Sequence, residues 1–407
     1  MECDRQAVAR SWRTTRSNRK VSAESTATCP FFCESLTVPS YLADLETPSA
    51  IVDLDRLAAN LDRMAAYAAL HGLALRPHVK THKSPRVAAE QMRLGAVGLT
   101  CATPRELEVM SDVTRDLLLA HPPVGAKLAR VLAIPPEVRL TVAVDSAEAV
   151  EELAAAARRA FRAVGVYVEV DLGMHRVGVQ APADAVALAE LVAKRPALRF
   201  AGIAFYPGHI RERVADQQAK LARLADDLAA VTDALERADL APPAVSGGST
   251  PAGWRMHEVP GITEVRPGTY VYNDRTTERM GACDWDDCAL TVLATVVSTA
   301  VPGQAVIDAG SKALGREPME AARAGAAADP ASDGFGALLD RPEVRVSRMS
   351  EEHGILDLRE TSWRPRVGDQ VRIVPNHVCV VVHLNDTIYG ARGELVETNW
   401  SVAARGR

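Results

Sequence analysis

From Thr47 to Pro251 the chain alternates short apolar runs with longer stretches whose apolar residues recur at helical spacing. A short run rich in β-branched residues predicts a strand, whereas apolar residues at i, i+3 and i+4 predict an amphipathic helix. The predicted strands are Ser49–Asp53, Leu73–Lys80, Val97–Ala102, Asp116–Ala120, Leu140–Val144, Val164–Val170, Leu198–Tyr206 and Ala244–Ser246. Eight strands that alternate with helices over about two hundred residues predict a (β/α)8 barrel.

The segments between these strands carry helix signals. Asp55 is a predicted N-cap, and Thr103 caps a helix that Pro104 opens. The predicted helices are Leu57–Ala68, Pro85–Leu94, Pro104–Met110, one from Val124, Ser146–Arg159, Ala183–Ala193 and Arg211–Ala238. A doubly wound open sheet is the main alternative, but it usually has a Gly-x-Gly-x-x-Gly turn after its first strand, where this chain has Asp53-Leu-Asp55.

After residue 275 the pattern changes to short strands separated by Gly and Pro turns. The strands predicted there are Cys288–Ala300, Gln304–Ala309, Val344–Met349, Gln370–Val374, Val378–Leu384 and Thr387–Tyr389. The predicted fold is therefore α/β, with a TIM-type barrel over residues 36–275 and a C-terminal all-β domain over residues 276–407. The first residues of the barrel segment can belong to the β-domain instead. Residues 1–35 lack periodicity and predict a disordered tail.

Composition narrows the function classes. The chain has 407 residues, 47% of them hydrophobic, and a formal net charge of −5, which argues against nucleic acid as the main partner. No apolar run approaches the ~18 residues that a membrane span needs. The seven cysteines are scattered, which predicts a reducing, cytoplasmic location instead of a disulfide framework.

Chemistry-bearing residues follow the predicted strands, at the barrel end where active sites lie. Lys80 ends the second strand, where His78, Lys80 and His82 would share one face. Arg176 follows the sixth strand and Tyr206 the seventh. The turn after the eighth strand, Gly247-Gly248-Ser249-Thr250, lies where barrels often bind phosphate. A strand-end lysine and a phosphate turn together indicate pyridoxal phosphate.

The lysine motif Arg76-Pro-His-Val-Lys-Thr-His-Lys83 resembles that of the D-threonine aldolase and eukaryotic-type D-serine dehydratase family. These enzymes are alanine-racemase-like pyridoxal-phosphate enzymes of fold type III. The resemblance extends from about residue 40 to 390. Its other motifs are Thr47-Pro-Ser-Ala-Ile-Val-Asp-Leu-Asp55, Glu169-Val-Asp-Leu-Gly173, Arg266-Pro-Gly-Thr-Tyr270, Ser350-Glu-Glu-His-Gly354 and Pro375-Asn-His-Val-Cys379.

The resemblance implies a role for each matching site residue. Lys80 would bind the cofactor covalently and act as the base at the substrate Cα. Arg176 would lie near the phenolic oxygen of the cofactor, and Tyr206 would meet its pyridine nitrogen. The phosphate would be held by the residues of two turns, Gly248, Ser249, Thr250, Gly268 and Thr269. His82, Lys83 and His209 receive no firm role.

His377 and Cys379 form a predicted metal pair, two residues apart on one face of a predicted strand. Imidazole and thiolate suit zinc, with water or substrate completing an open coordination. In the family, the β-domain supplies such a pair. Cysteine at the second position resembles the D-serine dehydratases, whereas the aldolases more often have aspartate, which favours Mn²⁺ or Mg²⁺.

The resemblance therefore implies a metal-dependent lyase on a small β-hydroxy D-amino acid, and Cys379 favours dehydration to a 2-oxo acid and ammonia. Retro-aldol cleavage to glycine and an aldehyde is the alternative. A racemase and a non-catalytic cofactor-binding protein are more distant alternatives. The resemblance also implies a homodimer.

Overall fold

A computed structural model describes residues 40–317, 319 and 333–407. The prediction for residues 1–35 lies outside these residues. The described part of the chain contains no helix long and apolar enough to cross a membrane.

The described strands are β1 (Ser49–Asp53), β2 (Ala74–Leu75), β3 (Leu99–Cys101), β4 (Asp116–Leu119), β5 (Arg139–Val144), β6 (Val164–Glu169), β7 (Leu198–Ala204), β8 (Val245–Gly247), β9 (Glu264–Val265), β10 (Leu290–Ser298), β11 (Gln304–Ile307), β12 (Gly336–Leu338), β13 (Val346–Met349), β14 (Gly354–Asp357), β15 (Gln370–Pro375), β16 (Thr387–Arg392) and β17 (Leu395–Ser401).

The described α-helices are α1 (Leu54–Leu70), α2 (Pro85–Arg93), α3 (Pro104–Met110), α4 (Lys127–Leu132), α5 (Ala147–Arg159), α6 (Pro182–Ala193), α7 (Gln218–Arg237), α8 (Thr250–Gly253), α9 (Arg275–Arg279), α10 (Ser311–Leu314) and α11 (Val378–Leu384).

Strands β2 to β9 form the barrel. They are parallel, in the order β2-β9-β8-β7-β6-β5-β4-β3. The two ends of this order meet, because Val97 N–H donates to the Leu75 carbonyl at 2.9 Å and a parallel bridge pairs His78 with Thr100. The predicted barrel is confirmed.

One predicted barrel strand belongs to the other sheet. β1 pairs antiparallel with β10 and parallel with β16, so that Ile51 lies between Thr291 and Tyr389. The eighth barrel strand is instead β9, which pairs with β8 and β2. The apolar pattern of β1 indicates burial but does not identify its partner strands, which follow more than 200 residues later in the chain.

Local signals placed several helices correctly. Thr103 caps α3 by accepting from Glu106 N–H, and Ser146 caps α5 by accepting from Ala149 N–H. The prediction of Asp55 as a cap was wrong, because Asp53 Oδ1 accepts from the amides of Asp55 and Arg56 at 3.0 Å.

The C-terminal domain is built on a mixed sheet, in the order β13-β14-β11-β10-β1-β16-β17, with β15 pairing with β10 and β12. The predicted strand Val378–Leu384 is wrong, because these residues form helix α11. Its run of valines favours a strand locally. However, the buried members, Val378, Val381 and Val382, lie on one helical face, and tertiary packing overrides the local preference.

The segment Leu73–Lys80 is a strand only at Ala74–Leu75, and the residues that carry Lys80 form turns. The amides of His82 and Lys83 donate to the Val79 carbonyl at 3.1 and 2.7 Å, and Lys83 has a left-handed backbone with φ of 50°. The prediction that His78, Lys80 and His82 share a strand face is therefore wrong.

Candidate active site

A cavity of about 280 Å³ brings together residues from the barrel and from helix α11. The predicted site residues that line it are Lys80, Tyr206, Ser249, Thr269, His377 and Cys379. They come from four barrel loops and from the start of α11, so the fold gathers residues spread over 300 positions of the sequence. Arg211, Asp274 and Glu317 also line this cavity.

Two cationic side chains lie near the aromatic ring of Tyr206. The Lys80 ammonium is 5.6 Å from the centre of the tyrosine ring, and the Arg176 guanidinium carbon is 4.9 Å from it. A ring face attracts cations at these distances. Lys80 and Arg176 therefore both lie close to the Tyr206 ring at one rim of the barrel.

The two predicted phosphate turns contact each other. Thr250 Oγ1 accepts from Tyr270 N–H at 3.2 Å, and Gly247 accepts from Arg266 N–H at 3.0 Å. Ser249 Oγ accepts from Ala252 N–H at 3.3 Å. These contacts bring Gly248, Ser249 and Thr250 beside Gly268 and Thr269.

Two glycines in these turns accept no larger residue easily. Gly248 has a φ of +102°, which disfavours a side chain. A Cβ added at Gly268 would lie 3.0 Å from Thr81 Oγ1 and 3.1 Å from the His78 carbonyl oxygen. The absence of a side chain at Gly268 lets this turn pass close to the lysine loop.

A buried arginine supports the same assignment. Arg266 is 7% exposed, and its Nη2 donates to the Phe205 carbonyl at 2.8 Å. Within the described residues its Nη1 is buried without a hydrogen-bond partner. An unpaired buried guanidinium nitrogen is costly and indicates a polar ligand. The lysine, the glycine turns and this arginine fit pyridoxal phosphate.

His377 and Cys379 adjoin the same cavity at the start of α11. His377 is the N-cap residue, and its Nδ1 lies 3.1 Å from Asp274 Oδ2. Cys379 Sγ lies 3.2 Å from the hydroxyl of Thr81. The pair thus contacts the residue that follows Lys80, although it lies on a helix and not on the predicted strand.

The two side chains form an interacting acid–base pair. The neighbouring Cys379 thiolate, aided by the hydrogen bond to Asp274, raises the pKa of His377 to about 12 against the effect of burial. Burial raises the pKa of Cys379, but the charge and hydrogen bond of His377 outweigh it, and the net pKa is lowered. A thiolate beside an imidazole suits a borderline-soft divalent ion, which replaces the imidazole proton when it binds.

The described residues contain no cluster of three or more His, Cys, Asp or Glu side chains arranged for a metal. Together with water or substrate, an imidazole and a thiolate would complete a metal site of the catalytic kind. The pair of His377 and Cys379 fits such a metal.

The residues without a firm role have different surroundings. Lys83 forms a buried ion pair with Glu106, and His82 Nδ1 accepts from Ser84 N–H at 3.1 Å. His209 lines a neighbouring cavity beside Asp171. None of these three side chains lines the cavity that Lys80 adjoins.

Sequence reasoning missed Asp274 and Thr81. The pattern Asp274-Arg-Thr-Thr277 carries the signature of a helix start, and the capping box does form. That signature predicts a helix start but not the contact with His377, 103 residues away. Thr81 adjoins Lys80 in sequence, and only the fold brings Cys379 to it.

Comparisons with known proteins agree with this fold. The family described as alanine racemase, N-terminal domain, matches residues 52–276, and the putative serine dehydratase domain matches residues 289–391. The chain is 32% identical over 358 residues to D-threonine aldolase from Arthrobacter sp, covering 86% of this chain and 89% of that protein. The crystal structure of D-threonine aldolase from Filomicrobium marinum has a TM-score of 0.81 at 35% identity, covering 91% of this chain and 98% of that one.

D-threo-3-hydroxyaspartate dehydratase from Delftia sp. (strain HT23) is 34% identical over 341 residues, covering 80% of this chain and 88% of that protein. Two structures are alanine variants of a D-threo-3-hydroxyaspartate dehydratase, one at a histidine and one at a cysteine two positions later. Both are 31% identical to this chain. The match with the histidine variant has a TM-score of 0.82 and covers 90% of this chain and 97% of that one. The match with the cysteine variant has a TM-score of 0.81 and covers 91% of this chain and 100% of that one. The cysteine variant is described as the metal-free form.

The barrel, the second sheet and these matches define a pyridoxal-phosphate enzyme with the alanine-racemase-like fold. Within that class, the chain belongs to the family of the D-threonine aldolases and D-serine dehydratases, and it is a pyridoxal-phosphate-dependent lyase.

Proposed function

We propose that this lyase dehydrates a small β-hydroxy D-amino acid to a 2-oxo acid and ammonia, with a divalent metal held by His377 and Cys379. The observation that carries the proposal is that Lys80 and this pair line the same cavity. A base for the Cα proton and a Lewis acid for the β-hydroxyl can then act on one small substrate.

The cysteine of the pair favours dehydration. The histidine and cysteine altered in the two dehydratase variants have the same spacing as His377 and Cys379, and the metal-free description of the cysteine variant links that spacing to a metal in the dehydratase. A thiolate and an imidazole favour zinc over Mn²⁺ or Mg²⁺. D-threonine aldolase is equally similar overall, so retro-aldol cleavage is the second candidate.

The residues have separable tasks. Pyridoxal phosphate, when bound, supplies an electron sink that acidifies the substrate Cα. Lys80 Nζ would remove the proton from that carbon, and the ring of Tyr206, 5.6 Å away, would keep the amine at the cavity rim. Gly248, Ser249 and Thr250 would bind the phosphate together with Gly268 and Thr269, and Arg176 would stay against the Tyr206 ring.

A metal at His377 and Cys379 would supply Lewis-acid assistance to departure of the β-hydroxyl. The protein's own contribution is to orient the two ligands through Asp274 and Thr81. The two ligands would leave the substrate hydroxyl able to approach such a metal.

A product assay tests the reaction type. Purified enzyme, supplied with pyridoxal phosphate and zinc, is given D-serine, D-threonine and D-threo-3-hydroxyaspartate separately. The proposal predicts 2-oxo acid and ammonia in equal amounts. Glycine and an aldehyde would instead establish the aldolase reaction, and they would overturn the use of Cys379 as a marker of dehydration.

The metal proposal has its own test. His377→Ala and Cys379→Ala should each lower zinc content and turnover while cofactor absorbance persists. Full turnover in a metal-free variant would refute the metal. A homodimer and a cytoplasmic location stay predictions from the family resemblance and the cysteine distribution.

A further inference from the structure

The carboxylate of Asp274 joins helix α9 to the start of helix α11. Its Oδ2 lies 3.1 Å from His377 Nδ1 and accepts from Val378 N–H at 3.2 Å. Its Oδ1 accepts from the amide and the hydroxyl of Thr277, at 2.9 and 3.0 Å. Asp274 is fully buried, and each carboxylate oxygen has two partners.

These contacts determine where the imidazole carries its proton. A carboxylate oxygen accepts hydrogen bonds, so His377 Nδ1 must donate, and the other ring nitrogen, Nε2, is left to bind a metal. A carboxylate that fixes a metal-binding histidine in this way also sets the ring orientation and raises its basicity.

We propose that Asp274 is a positioning residue, which holds His377 in the tautomer that presents Nε2 to the divalent metal. This inference rests on the proposed role of His377 and Cys379. It assigns to Asp274 no contact with substrate or cofactor.

Helix α9 also contacts the residue before His377 through two further hydrogen bonds. Arg275 Nη1 donates to Asn376 Oδ1 at 2.6 Å, and Thr276 Oγ1 donates to the Asn376 carbonyl at 2.7 Å. Asn376 immediately precedes His377. The backbone before His377 is therefore held by contacts other than those of Asp274, and removing the Asp274 carboxylate affects the imidazole and the Val378 amide.

The test variant is Asp274→Ser. Serine caps helices as well as aspartate does, so its hydroxyl can still accept from Thr277 N–H. The shorter side chain does not reach His377. We expect zinc affinity, measured by competition with a chromophoric chelator, to fall about 10- to 100-fold. Cofactor absorbance should stay close to that of the natural protein, whereas the thermal midpoint should fall, because the buried Val378 amide loses its acceptor.

Thr277→Val is the matched control, because it removes the hydroxyl from the same cap and leaves the contact between Asp274 and His377. It should lower the thermal midpoint and leave zinc affinity unchanged. Cobalt substitution gives a second readout: the thiolate-to-cobalt charge-transfer band should persist in Asp274→Ser at saturating cobalt, because Cys379 is untouched.

The outcomes separate this inference from the proposed function. If the natural protein binds no zinc, the proposed metal site and this inference both fall. If the natural protein binds zinc and Asp274→Ser binds it equally well, only the positioning role falls. Equal losses of zinc affinity in Asp274→Ser and Thr277→Val would show that the helix cap matters and the carboxylate does not.

Discussion

The hydroxyl of Thr81 lies 3.2 Å from the sulfur of Cys379. Thr81 follows Lys80 in the barrel, whereas Cys379 belongs to the C-terminal domain, and Thr81 is fully buried. The proposed cofactor lysine and the proposed metal ligand are therefore joined by one side chain. Thr81 thus links the turn that carries Lys80 to helix α11.

Replacing Thr81 by valine should weaken metal binding. Burial raises the pKa of Cys379, and the charge and hydrogen bond of His377 lower it. The hydrogen bond from Thr81 has a smaller effect and also lowers this pKa. Without the hydroxyl, the thiolate is less stabilised, and we expect zinc affinity to fall by about 10-fold. Chelator competition measures the change. Thr81→Ser keeps the hydroxyl and should bind zinc normally; a loss in both variants would point to packing instead.

Replacing Glu106 by glutamine should destabilise the protein strongly. The side chain of Glu106 is fully buried and that of Lys83 is 8% exposed, so the variant leaves a buried ammonium without its counter-charge. We expect a loss of about 3–5 kcal/mol in the free energy of unfolding, measured in urea.

Glu108→Gln, in the same helix, is the control for that variant. Glu108 pairs with Arg130 at 2.8 Å, but both side chains are at least one-third exposed. Solvent screens such a pair, so the loss should be much smaller. Equal losses in the free energy of unfolding for the two variants would show that the buried pair of Lys83 and Glu106 stabilises the protein no more than an exposed pair does.

His82 should make stability depend on pH. Burial lowers the pKa of His82 from 6.5 to about 3. Between these values the unfolded chain binds a proton that the folded chain does not, so the free energy of unfolding decreases as pH falls from 6.5 towards 3. One such group contributes about 1.4 kcal/mol per pH unit.

His82→Gln should remove that contribution and make the dependence of the urea midpoint on pH shallower in this window, while the buried His78, whose pKa burial also lowers, keeps its share of the slope. His353→Gln is the control, because His353 is exposed. The same slope in His82→Gln as in the natural protein would show that His82 is not the group responsible.

Several features of the fold that depend on residues close together in the sequence were predicted correctly. Thr103 and Ser146 begin helices α3 and α5 because a cap and the amides that it binds lie within three residues. The order of strands and helices predicted the barrel. The predicted strand-end positions of Lys80, Tyr206 and Ser249 indicated that these residues lie at one end of the barrel, and all three line the same cavity.

The errors involve distant partners. β1 has the pattern of a buried strand, and only its pairing with β10 and β16 places it in the second sheet. The valines of α11 favour a strand until packing selects a helix. The contact of Asp274 with His377 depends on how two domains meet, which no local pattern encodes.

The most direct test of the central proposal is to locate the lysine that binds pyridoxal phosphate. The purified holoenzyme is treated with borohydride, which makes the bond between lysine and cofactor permanent, and its peptides are analysed by mass spectrometry. We expect the cofactor mass on Lys80, the lysine that lines the cavity with His377 and Cys379. Modification of Lys83, of any other lysine or of none would contradict it.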